Sequence, residues 1–322
     1  MSVLVSFIIP HKGREAMLIE TLNSICTQSF STGEIEVVIV SQNKTVSASL
    51  EALKERLKLN IIFNEDGNTI SHSRNIGARQ AEGKYLAFLD ADVELASNWT
   101  ETVYNILTRN QDIALVSAMQ INSEGAPPLE RIRTALSNAE LDTNVAFLPG
   151  RNLFLAKETF NKVNGFPEHL MTCEDYYFTD SVSKHGGLYY TSKTHYVHIG
   201  EDKAFVPMFK KEIWRGQSNI ASIQGRRIGI REWPSFIVPF VITLGVLLSV
   251  ISALILPLII TFALGAMTIL PLLAYVFRLK KLTGSEVNVL HCVWFYILYF
   301  PARTIGTLLG VRGAVSTSSH KN

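Results

Sequence analysis

The chain has 322 residues, a formal net charge of +2 and 47% apolar residues. This length allows one substantial domain with an appendage or two small domains, and the small net charge by itself indicates no class of partner. The three cysteines, Cys26, Cys173 and Cys292, are scattered, which argues against a disulfide framework or a metal-ligand spacing and favours a reducing compartment. No basic region precedes the first strand-like segment, so no signal peptide is predicted.

The first half of the chain alternates strand-like and helix-like segments. Residues 3–9 are predicted as a strand that Pro10 ends, and residues 15–27 have the helical spacing of apolar side chains. Such alternation favours a mostly parallel sheet covered by helices on both faces. Further strands are predicted at residues 36–40, 60–63, 85–89, 113–121 and 147–155, and further helices at 48–59, from Asn68 or Thr69 to near 83, from Ser97 or Asn98 to 110, at 157–163 and at 176–185.

A pair of carboxylates, Asp90 and Asp92, follows the apolar run at residues 85–89. Such a run indicates a buried strand, and open α/β sheets bind ligands at the C-terminal ends of their strands. Two carboxylates in one turn repel each other, and a hard divalent cation that bridges to phosphate oxygens relieves the repulsion. The pair therefore predicts a nucleotide diphosphate held through Mg²⁺ or Mn²⁺. The alternative is a solvated turn in which Asp92 caps the next segment.

A second acidic pair, Glu174-Asp175, stands at the start of a predicted helix. Acidic residues at this position complement the helix dipole and often act only as caps. The functional alternative is a general base that projects into the same pocket as Asp90 and Asp92. Both carboxylates lie at one helix start, so the sequence leaves open which of them is the base.

Five short motifs follow one another along residues 3–199. They are Ile8-Ile9-Pro10, then Gln28-Ser29-Phe30, then Ser73-Arg74-Asn75-Ile76-Gly77, then Gly83-Lys84-Tyr85 leading to Phe88-Leu89-Asp90-Ala91-Asp92, and finally Gly165-Phe166 before Glu174-Asp175. Each motif alone is unspecific, whereas their order and spacing are specific. Together they resemble the motifs of the inverting family 2 glycosyltransferases of the GT-A fold. The resemblance implies an α/β catalytic domain with a Rossmann-like, mostly parallel sheet.

The resemblance also implies roles for individual residues in handling a nucleotide sugar. Asp92 is expected to be the direct metal ligand. Asp175 is expected to deprotonate the acceptor hydroxyl that attacks the anomeric carbon with inversion. The implied donor-binding residues are Pro10, Arg14 and Gln42 at the base and ribose, and Arg74 and Asp90 at the ribose and diphosphate.

One turn departs from the family pattern. Where the family usually has an Asp-containing turn after its second strand, this chain has Ser41-Gln42-Asn43. The carboxylate often used to recognise uracil is therefore absent, and the side-chain amide of Gln42 is the group that can replace it. Uridine is favoured as the base.

Two other positions are assigned to the site from their places in the chain. His198 follows a predicted strand and is expected to contact the diphosphate or complete the metal shell, with a structural histidine as the alternative. The loop at residues 148–152 is expected to contact the sugar, and its Arg151 and Asn152 are assigned to the acceptor or its phosphate.

Basic and aromatic residues are interleaved between residues 203 and 231. Nucleic-acid binding is one interpretation, but a position directly before an apolar block favours the anionic headgroup layer, where such residues also hold phosphates of a lipid-linked acceptor. The run from Trp214 to Ser218 resembles an Arg-Gly-containing loop of exopolysaccharide glycosyltransferases with hydrophobic tails, which assigns Trp214 and Arg215 to the acceptor. The basic residues are Lys203, Lys210, Lys211, Arg215, Arg226, Arg227 and Arg231.

Charge almost disappears between residues 235 and 277, about twice the ~20 residues that one spanning helix needs. Two transmembrane helices are therefore predicted, with a turn near Leu256-Pro257. Basic residues on both outer flanks place those flanks on the cytoplasmic side. The apolar segment at residues 287–300 is shorter and is followed by Pro301, so a re-entrant or interfacial segment is expected, with a third span as the alternative.

These features predict a cytoplasm-facing enzyme of the inner membrane. Its parts are a GT-A domain at residues 1–202, a basic amphipathic connector at 203–234, two transmembrane helices at 235–278, and a third hydrophobic segment with a polar tail at 279–322. The oligomeric state is not determined.

The predicted activity is metal-dependent, inverting transfer of a hexose from a nucleotide sugar, with UDP favoured, to a lipid-linked saccharide in surface polysaccharide assembly. One alternative is transfer to polyprenyl phosphate itself, and another is a non-catalytic membrane scaffold. A nucleotidyltransferase is a further rival, but the turn at residues 10–14 has one glycine and makes a poor phosphate loop.

Overall fold

The computed structural model describes residues 2–64, 69–223, 229–230 and 232–319, with side chains as far as residue 311. It divides into two compact units. The first comprises Met1–Glu124 and Ser137–Glu201, and the second comprises Gly125–Leu136 and Asp202–Asn322. A segment from the middle of the sequence therefore belongs to the C-terminal unit.

The first unit alternates strands and helices. Its strands are β1 (Val5–His11), β2 (Ile35–Ser41), β3 (Lys58–Phe63), β4 (Tyr85–Leu89), β5 (Val93–Leu95), β6 (Ile113–Ile121), β7 (Thr143–Asn144), β8 (Asn152–Ala156) and β9 (Gly187–His198). The α-helices of the chain are α1 (Glu15–Cys26), α2 (Ala48–Glu51), α3 (Ile70–Gln80), α4 (Trp99–Arg109), α5 (Pro128–Ser137), α6 (Lys157–Lys162), α7 (Glu174–Ser183), α8 (Phe205–Gly216), α9 (Trp233–Ile255), α10 (Leu258–Thr283) and α11 (Val289–Ser319).

Nine strands among the described residues form one mixed sheet. Its order is β3-β2-β1-β4-β8-β6-β9-β5, and β7 pairs with β9. The four strands from β3 to β4 are parallel, which is the Rossmann-like half that the sequence predicted. Strand β8 then runs antiparallel to both β4 and β6. The α/β fold class is confirmed.

Several predicted elements are placed differently by the structure. The helix expected at residues 48–59 ends at Glu51, continues as a 3₁₀ segment at Ala52–Glu55 and gives way to β3. The strand expected at residues 147–155 is shorter and begins at Asn152, because the preceding residues form a turn. The sequence also did not predict β5, β7 or α5. Thr69 caps α3 as predicted, while Asn68 lies outside the described residues.

Helices cover both faces of the sheet. One face packs on α1 and α4 through residues such as Leu22 and Val103. The other face packs on α3, α6 and α7 through residues such as Phe160 and Phe178. Every residue of β2 and β4 is buried, as expected for strands that helices cover on both sides.

The second unit is helical, and part of its surface is apolar. Three helices of the described part are long and apolar enough to cross a membrane: Trp233–Ile255, Leu258–Thr283 and Val289–Val311. Large apolar side chains on α9 and α10 point outward, including Leu254 at 84% and Phe262 at 74% exposure. Such surfaces are unfavourable in water and fit a hydrocarbon environment. The tail of the chain is thus suited to a membrane.

The segment beyond residue 287 corrects one expectation. Pro301 was expected to end a short interfacial segment, but it lies inside α11, which runs on to Ser319. Its apolar part is long enough for a span, so the alternative of a third transmembrane helix is the one that the structure favours. Proline is tolerated inside such helices because neighbouring groups satisfy the freed carbonyl.

Candidate active site

Arg74 is fully buried and connects the two acidic pairs. It lies on α3, where Gly77 allows close packing on β1, since a Cβ there would lie 2.5 Å from Ile8 Cγ2. The guanidinium donates to Asp90 Oδ1 and to Glu174 Oε1, each at 2.9 Å. A buried arginine is tolerated only when its charge is paired. Two motifs that are 84 residues apart (174 − 90) therefore meet in one site.

Asn75, the neighbour of Arg74, holds the loop that leads towards the second acidic pair. Its side chain accepts from Phe166 N and donates to Phe166 O, both at 2.9 Å. The Phe166 ring lies 4.9 Å from Arg74 Cζ, which is a cation–π distance. Gly165 has a φ of +72°, and a Cβ at that residue would lie 2.6 Å from Asn75 Oδ1. The Arg-Asn and Gly-Phe motifs thus form a single contact.

The two carboxylates at the start of α7 have different surroundings. Glu174 is bound to Arg74, and its side chain is 12% exposed. Asp175 accepts from Gly150 N at 3.2 Å and from Tyr176 N at 2.8 Å, and it is partly exposed. Among the residues that the structure describes, no arginine forms an ion pair with Asp175. The geometry therefore favours Asp175 over Glu174 as a group that can accept a proton from a substrate.

Burial shifts the protonation of both carboxylates. Burial raises the pKa of Glu174 to about 7, and the adjacent charge of Asp175 adds to this shift while Arg74 opposes it. Burial also raises the pKa of Asp175, against the stabilising contacts from Gly150 and Arg74. A carboxylate with a raised pKa is a stronger base than an ordinary one.

Asp92 and His198 come together through strand pairing. Strands β5 and β9 are antiparallel with Val93 opposite His198, and Ile199 N donates to Asp92 O at 2.9 Å. His198 Nε2 lies 3.3 Å from Asp92 Oδ1, and Arg14 Nη1 lies 3.3 Å from Asp92 Oδ2. Burial by itself would lower the pKa of His198, but its carboxylate partners hold that pKa above the ordinary value.

The pair Asp92 and His198 is compatible with a divalent cation. Two ligand atoms about 2.1 Å from one cation at a right angle lie about 3 Å apart, close to the observed separation of 3.3 Å. Carboxylate oxygen suits both Mg²⁺ and Mn²⁺. Within the described ranges, no group of three or more His, Cys, Asp or Glu residues could hold a metal. Asp92 and His198 are thus the residues that would hold a cation here.

The residues assigned to the nucleotide lie at the C-terminal ends of two neighbouring parallel strands. Pro10 is near the end of β1, and Gln42 directly follows β2, with Gln42 N donating to His11 O at 2.8 Å. His11 is buried, and its Nδ1 lies 3.0 Å from Ser41 Oγ. Burial lowers the pKa of His11. The side chains of Gln42 and His11 at this strand edge are thus polar and uncharged.

Arg151 and Asn152 were both assigned to the acceptor, but the structure places their side chains in different surroundings. Arg151 Nη1 donates to Gln120 Oε1 at 2.6 Å. Asn152 is fully buried, and its Oδ1 accepts from Trp99 Nε1 at 3.2 Å and from Ala118 N at 2.8 Å. Asn152 therefore joins strands and a helix inside the core, and we withdraw it from the acceptor surface. Its position in β8 is the reason, since the sequence had placed it in a loop.

Trp214 and Arg215 belong to the second unit. Trp214 is 49% exposed on α8, while Arg215 Nη1 forms ion pairs with Glu212 and, at 3.7 Å, with Asp202. Arg133 of α5 and Arg303 of α11 also pair with Glu212, so Arg215 is part of a network among helices. The basic residues Arg226, Arg227 and Arg231 lie outside the described residues.

Two polar side chains of the site, Glu201 and Gln120, were not found from the sequence, and neither was the contact of Gly150 N with Asp175. Glu201 has a fully buried side chain and lies 3.1 Å from His198 Nδ1, Gln120 Nε2 donates to Glu201 Oε2 at 3.2 Å, and Gly150 N faces Asp175. A weak signal was present, because Glu201 stands three residues after His198 and both belong to a short polar stretch. Gln120 carried none, since it ends a long apolar strand.

Comparison with known proteins decides the family. Residues 6–164 match the model described as Glycosyl transferase family 2. This chain carries a family 2 glycosyltransferase domain. The matched part includes Arg74, Asp90 and Asp92. It ends before Glu174, Asp175 and His198. The predicted family and enzyme class are confirmed.

The match with curated relatives covers only part of each relative. Poly(ribitol-phosphate) beta-N-acetylglucosaminyltransferase TarS of Staphylococcus aureus is 28% identical over 181 residues, which are 54% of this chain and 31% of that protein. Poly(ribitol-phosphate) beta-glucosyltransferase of Bacillus spizizenii is 30% identical over 187 residues, which are 54% of this chain and 28% of that protein. The chain thus spans about a third of the length of these relatives.

A solved structure supports the GT-A fold. Mannosyltransferase PcManGT from Pyrobaculum calidifontis, in complex with GDP-Man and Mn²⁺, superposes with a TM-score of 0.67 at 15% sequence identity. The superposition covers 96% of this chain and 88% of that one. The likeness therefore extends over nearly the whole glycosyltransferase.

Proposed function

We propose that the glycosyltransferase moves a hexose, with inversion, from a nucleotide sugar to a lipid-linked saccharide acceptor at the inner membrane, in the assembly of a surface polysaccharide. The observation that carries this proposal is the double ion pair of Arg74 with Asp90 and Glu174. It brings the end of the central strand and the start of α7 into one site. Donor and acceptor chemistry need such proximity, since the reacting groups must lie within about 3–3.5 Å.

Each side chain has a distinct task in the proposed reaction. Cleavage of a nucleotide-sugar bond develops positive charge on the sugar and negative charge on the leaving diphosphate. Bound Mg²⁺ or Mn²⁺, held by Asp92 and His198, would neutralise the diphosphate as a Lewis acid. Asp175 accepts the proton of the acceptor hydroxyl. Arg14 is 63% exposed beside Asp92 and can reach a phosphate oxygen.

The uncharged side chain of Gln42, directly after β2, bears on which nucleotide base the donor carries. Gln42 offers both an amide donor and an acceptor, which matches the imide edge of uracil, so UDP is the favoured carrier. GDP is the second donor to test, because PcManGT was solved with GDP-Man. The named relatives transfer N-acetylglucosamine and glucose, so both are first choices for the sugar.

The acceptor is proposed from the helical tail. The three apolar helices suit a bilayer, and a membrane-bound enzyme meets a lipid-linked acceptor without having to extract it. The alternative acceptor is polyprenyl phosphate itself. The two differ in the product, which is a longer saccharide in one case and a lipid monophosphate sugar in the other.

The test is a transfer assay with the full chain in detergent or vesicles. Labelled UDP-hexoses and GDP-mannose are supplied in turn with Mn²⁺, with Mg²⁺ or with chelator, together with membrane lipids or synthetic polyprenyl acceptors. We expect one donor to label a lipid fraction only when metal is present. Donor binding without any transfer would favour a non-catalytic scaffold. Absence of nucleotide binding under every condition would refute the proposal.

A further inference from the structure

His198 lies between two carboxylates. Its Nε2 lies 3.3 Å from Asp92 Oδ1, and its Nδ1 lies 3.1 Å from Glu201 Oε2. The side chains of His198 and Glu201 are 6% and 0% exposed. An imidazole that binds a cation through one nitrogen carries its proton on the other nitrogen, and a hydrogen-bond acceptor beside that nitrogen fixes this tautomer. Glu201 is therefore placed where its carboxylate can stabilise the His198 tautomer that carries the proton on Nδ1.

Glu201 is itself held by two partners. Gln120 Nε2 donates to Glu201 Oε2 at 3.2 Å, and Arg151 Nη1 lies 3.4 Å from the same oxygen. Arg151 also donates to Gln120 Oε1 at 2.6 Å, and Tyr196 Oη donates to that oxygen at 3.3 Å. A fully buried carboxylate is costly unless such groups compensate it. The network therefore compensates the burial of the Glu201 carboxylate and limits its movement.

Gln120 is in turn hydrogen-bonded to Asn138, near the start of the second part of the first unit, which begins at Ser137. Asn138 accepts from Gln120 N at 3.1 Å and donates to Gln120 O at 2.6 Å. Tyr190 Oη donates to Asn138 Oδ1 at 3.1 Å. These contacts fix the backbone at the end of β6, from which the Gln120 side chain reaches Glu201.

We propose that Glu201 is the positioning residue for metal binding, acting through His198, and that Gln120 and Arg151 support it. The carboxylate accepts a hydrogen bond from Nδ1–H, so the proton stays on Nδ1 and the Nε2 lone pair is available to the cation that Asp92 would hold. This inference rests on the proposed function, since it assumes that the diphosphate is bound through a metal. It assigns Arg151 a supporting role, in addition to the acceptor role that the sequence suggested.

The test measures the affinity for Mn²⁺ directly. Free Mn²⁺ is quantified by electron paramagnetic resonance while the full chain in detergent is titrated in the presence of UDP or GDP. The variants are Glu201→Ala, Glu201→Gln and, as a reference for ligand loss, His198→Asn. We expect Glu201→Ala to weaken Mn²⁺ binding about 10- to 100-fold, the range for loss of a carboxylate that supports a metal-bound histidine. Glu201→Gln keeps an oxygen that can accept the same proton, so its loss should be smaller.

A matched control separates positioning from stability. Glu36 is also a buried carboxylate of the sheet, but it lies at the start of β2, where it accepts from Ser6 Oγ at 2.6 Å. Glu36→Gln should lower the melting temperature and leave Mn²⁺ affinity within a factor of two of wild type. Melting curves of all variants are recorded, and Glu201→Gln carries the test if Glu201→Ala does not fold.

The outcomes distinguish the inference from the proposed function. If wild type and Glu36→Gln bind Mn²⁺ and the folded Glu201 variants bind it equally well, the positioning role is refuted and the proposed function stands. If Glu36→Gln weakens Mn²⁺ binding as much as Glu201→Ala does, the effect is one of general stability, which also refutes it. If wild type does not bind Mn²⁺ with either nucleotide, the metal site of the proposed function fails, and the inference fails with it.

Discussion

Arg74 shows how much of this site depends on one residue. Its guanidinium is buried and binds one carboxylate from each acidic motif. It also donates to Gly150 O at 3.1 Å, next to the backbone N–H that Asp175 accepts. An arginine suits this task because its planar fork offers five donors in fixed directions, which lysine does not. The position of the proposed base therefore depends on Arg74.

The first prediction concerns the base itself. Asp175→Asn removes the proton acceptor but keeps its size, so kcat should fall about 10²- to 10⁴-fold, the usual contribution of general base catalysis. Donor affinity should stay near that of wild type. Transfer rates and nucleotide titrations on the same preparation check both. Glu174→Gln is the matched control, because Glu174 is held by Arg74, and a larger loss of kcat in that variant would make Glu174 the base.

The second prediction concerns pH. Burial raises the pKa of Glu174 to about 7 and also raises that of Asp175, and the base must be deprotonated to work. The acidic limb of kcat/KM should therefore lie above the ordinary carboxylate range, with the rate falling as pH drops through the raised values. Because these carboxyls bind protons more tightly when folded, their burial favours the folded state at low pH, and that contribution is lost as pH rises through the folded pKa.

The measurement is a pH profile of kcat/KM alongside thermal unfolding across the same range. Glu174→Gln removes one negative neighbour of Asp175, so the acidic limb should move to lower pH in that variant. A wild-type limb near the ordinary carboxylate pKa would contradict the role of burial.

At the scale of elements, the metal side of the site is produced by strand pairing. Asp92 lies in the turn between β4 and β5, and the antiparallel pairing of β5 with β9 places His198 beside it. The chain then turns at Gly200, where a Cβ would lie 2.0 Å from Asp92 Oδ2 and 3.0 Å from Arg14 Nη1. Only glycine leaves room for both side chains.

The third prediction follows from this close approach. Gly200→Ala should displace the Asp92 carboxylate and weaken metal-dependent nucleotide binding by at least about tenfold, since ligand positions must be precise. The loss should be smaller when binding is measured in chelator. Gly265→Ala is the matched control, because a Cβ at Gly265 meets nothing within 4 Å. Equal binding by Gly200→Ala and wild type would show that Asp92 does not need its observed position.

At the scale of the whole molecule, two units with different surfaces are combined in one chain. The first unit buries its apolar residues between helices and sheet, whereas α9 and α10 of the second unit carry them outward. Within the second unit, α5 contributes Leu129 and Ile132 to the apolar cluster of the long helices. The unit is thus completed by a segment that interrupts the catalytic part of the sequence.

The fourth prediction is that the protein is an integral membrane protein. Apolar spans of this length are effectively permanent anchors, whereas headgroup contacts by basic residues are weakened by salt and high pH. The full chain should remain in the membrane pellet after carbonate and high-salt washes and be released by detergent. A cysteine introduced at exposed Lys12 should be protected from impermeant maleimide in intact spheroplasts and react after lysis, if the catalytic side is cytoplasmic. Release by carbonate would contradict integration into the membrane. Labelling before lysis would contradict the cytoplasmic orientation.

The sequence alone determined the family, the Rossmann-like parallel half of the sheet and the two acidic pairs. These are local signals, because apolar runs, strand-ending prolines and short motifs can be read within a few residues. The first pair of apolar helices was equally clear, since about 20 uncharged residues have one main interpretation.

Tertiary structure decided the rest, because those features depend on contacts between distant residues. Asn152 looked like a loop residue and is a core residue, since the pairing of β8 with β4 sets its register. Glu201 and Gln120 are 81 residues apart, and no local pattern predicts that the Gln120 side-chain amide donates a buried hydrogen bond to the Glu201 carboxylate. Likewise, Pro301 was expected to end a helix, but packing keeps α11 continuous through it. Local chemistry thus identified the reacting groups, while the fold decided which of them meet.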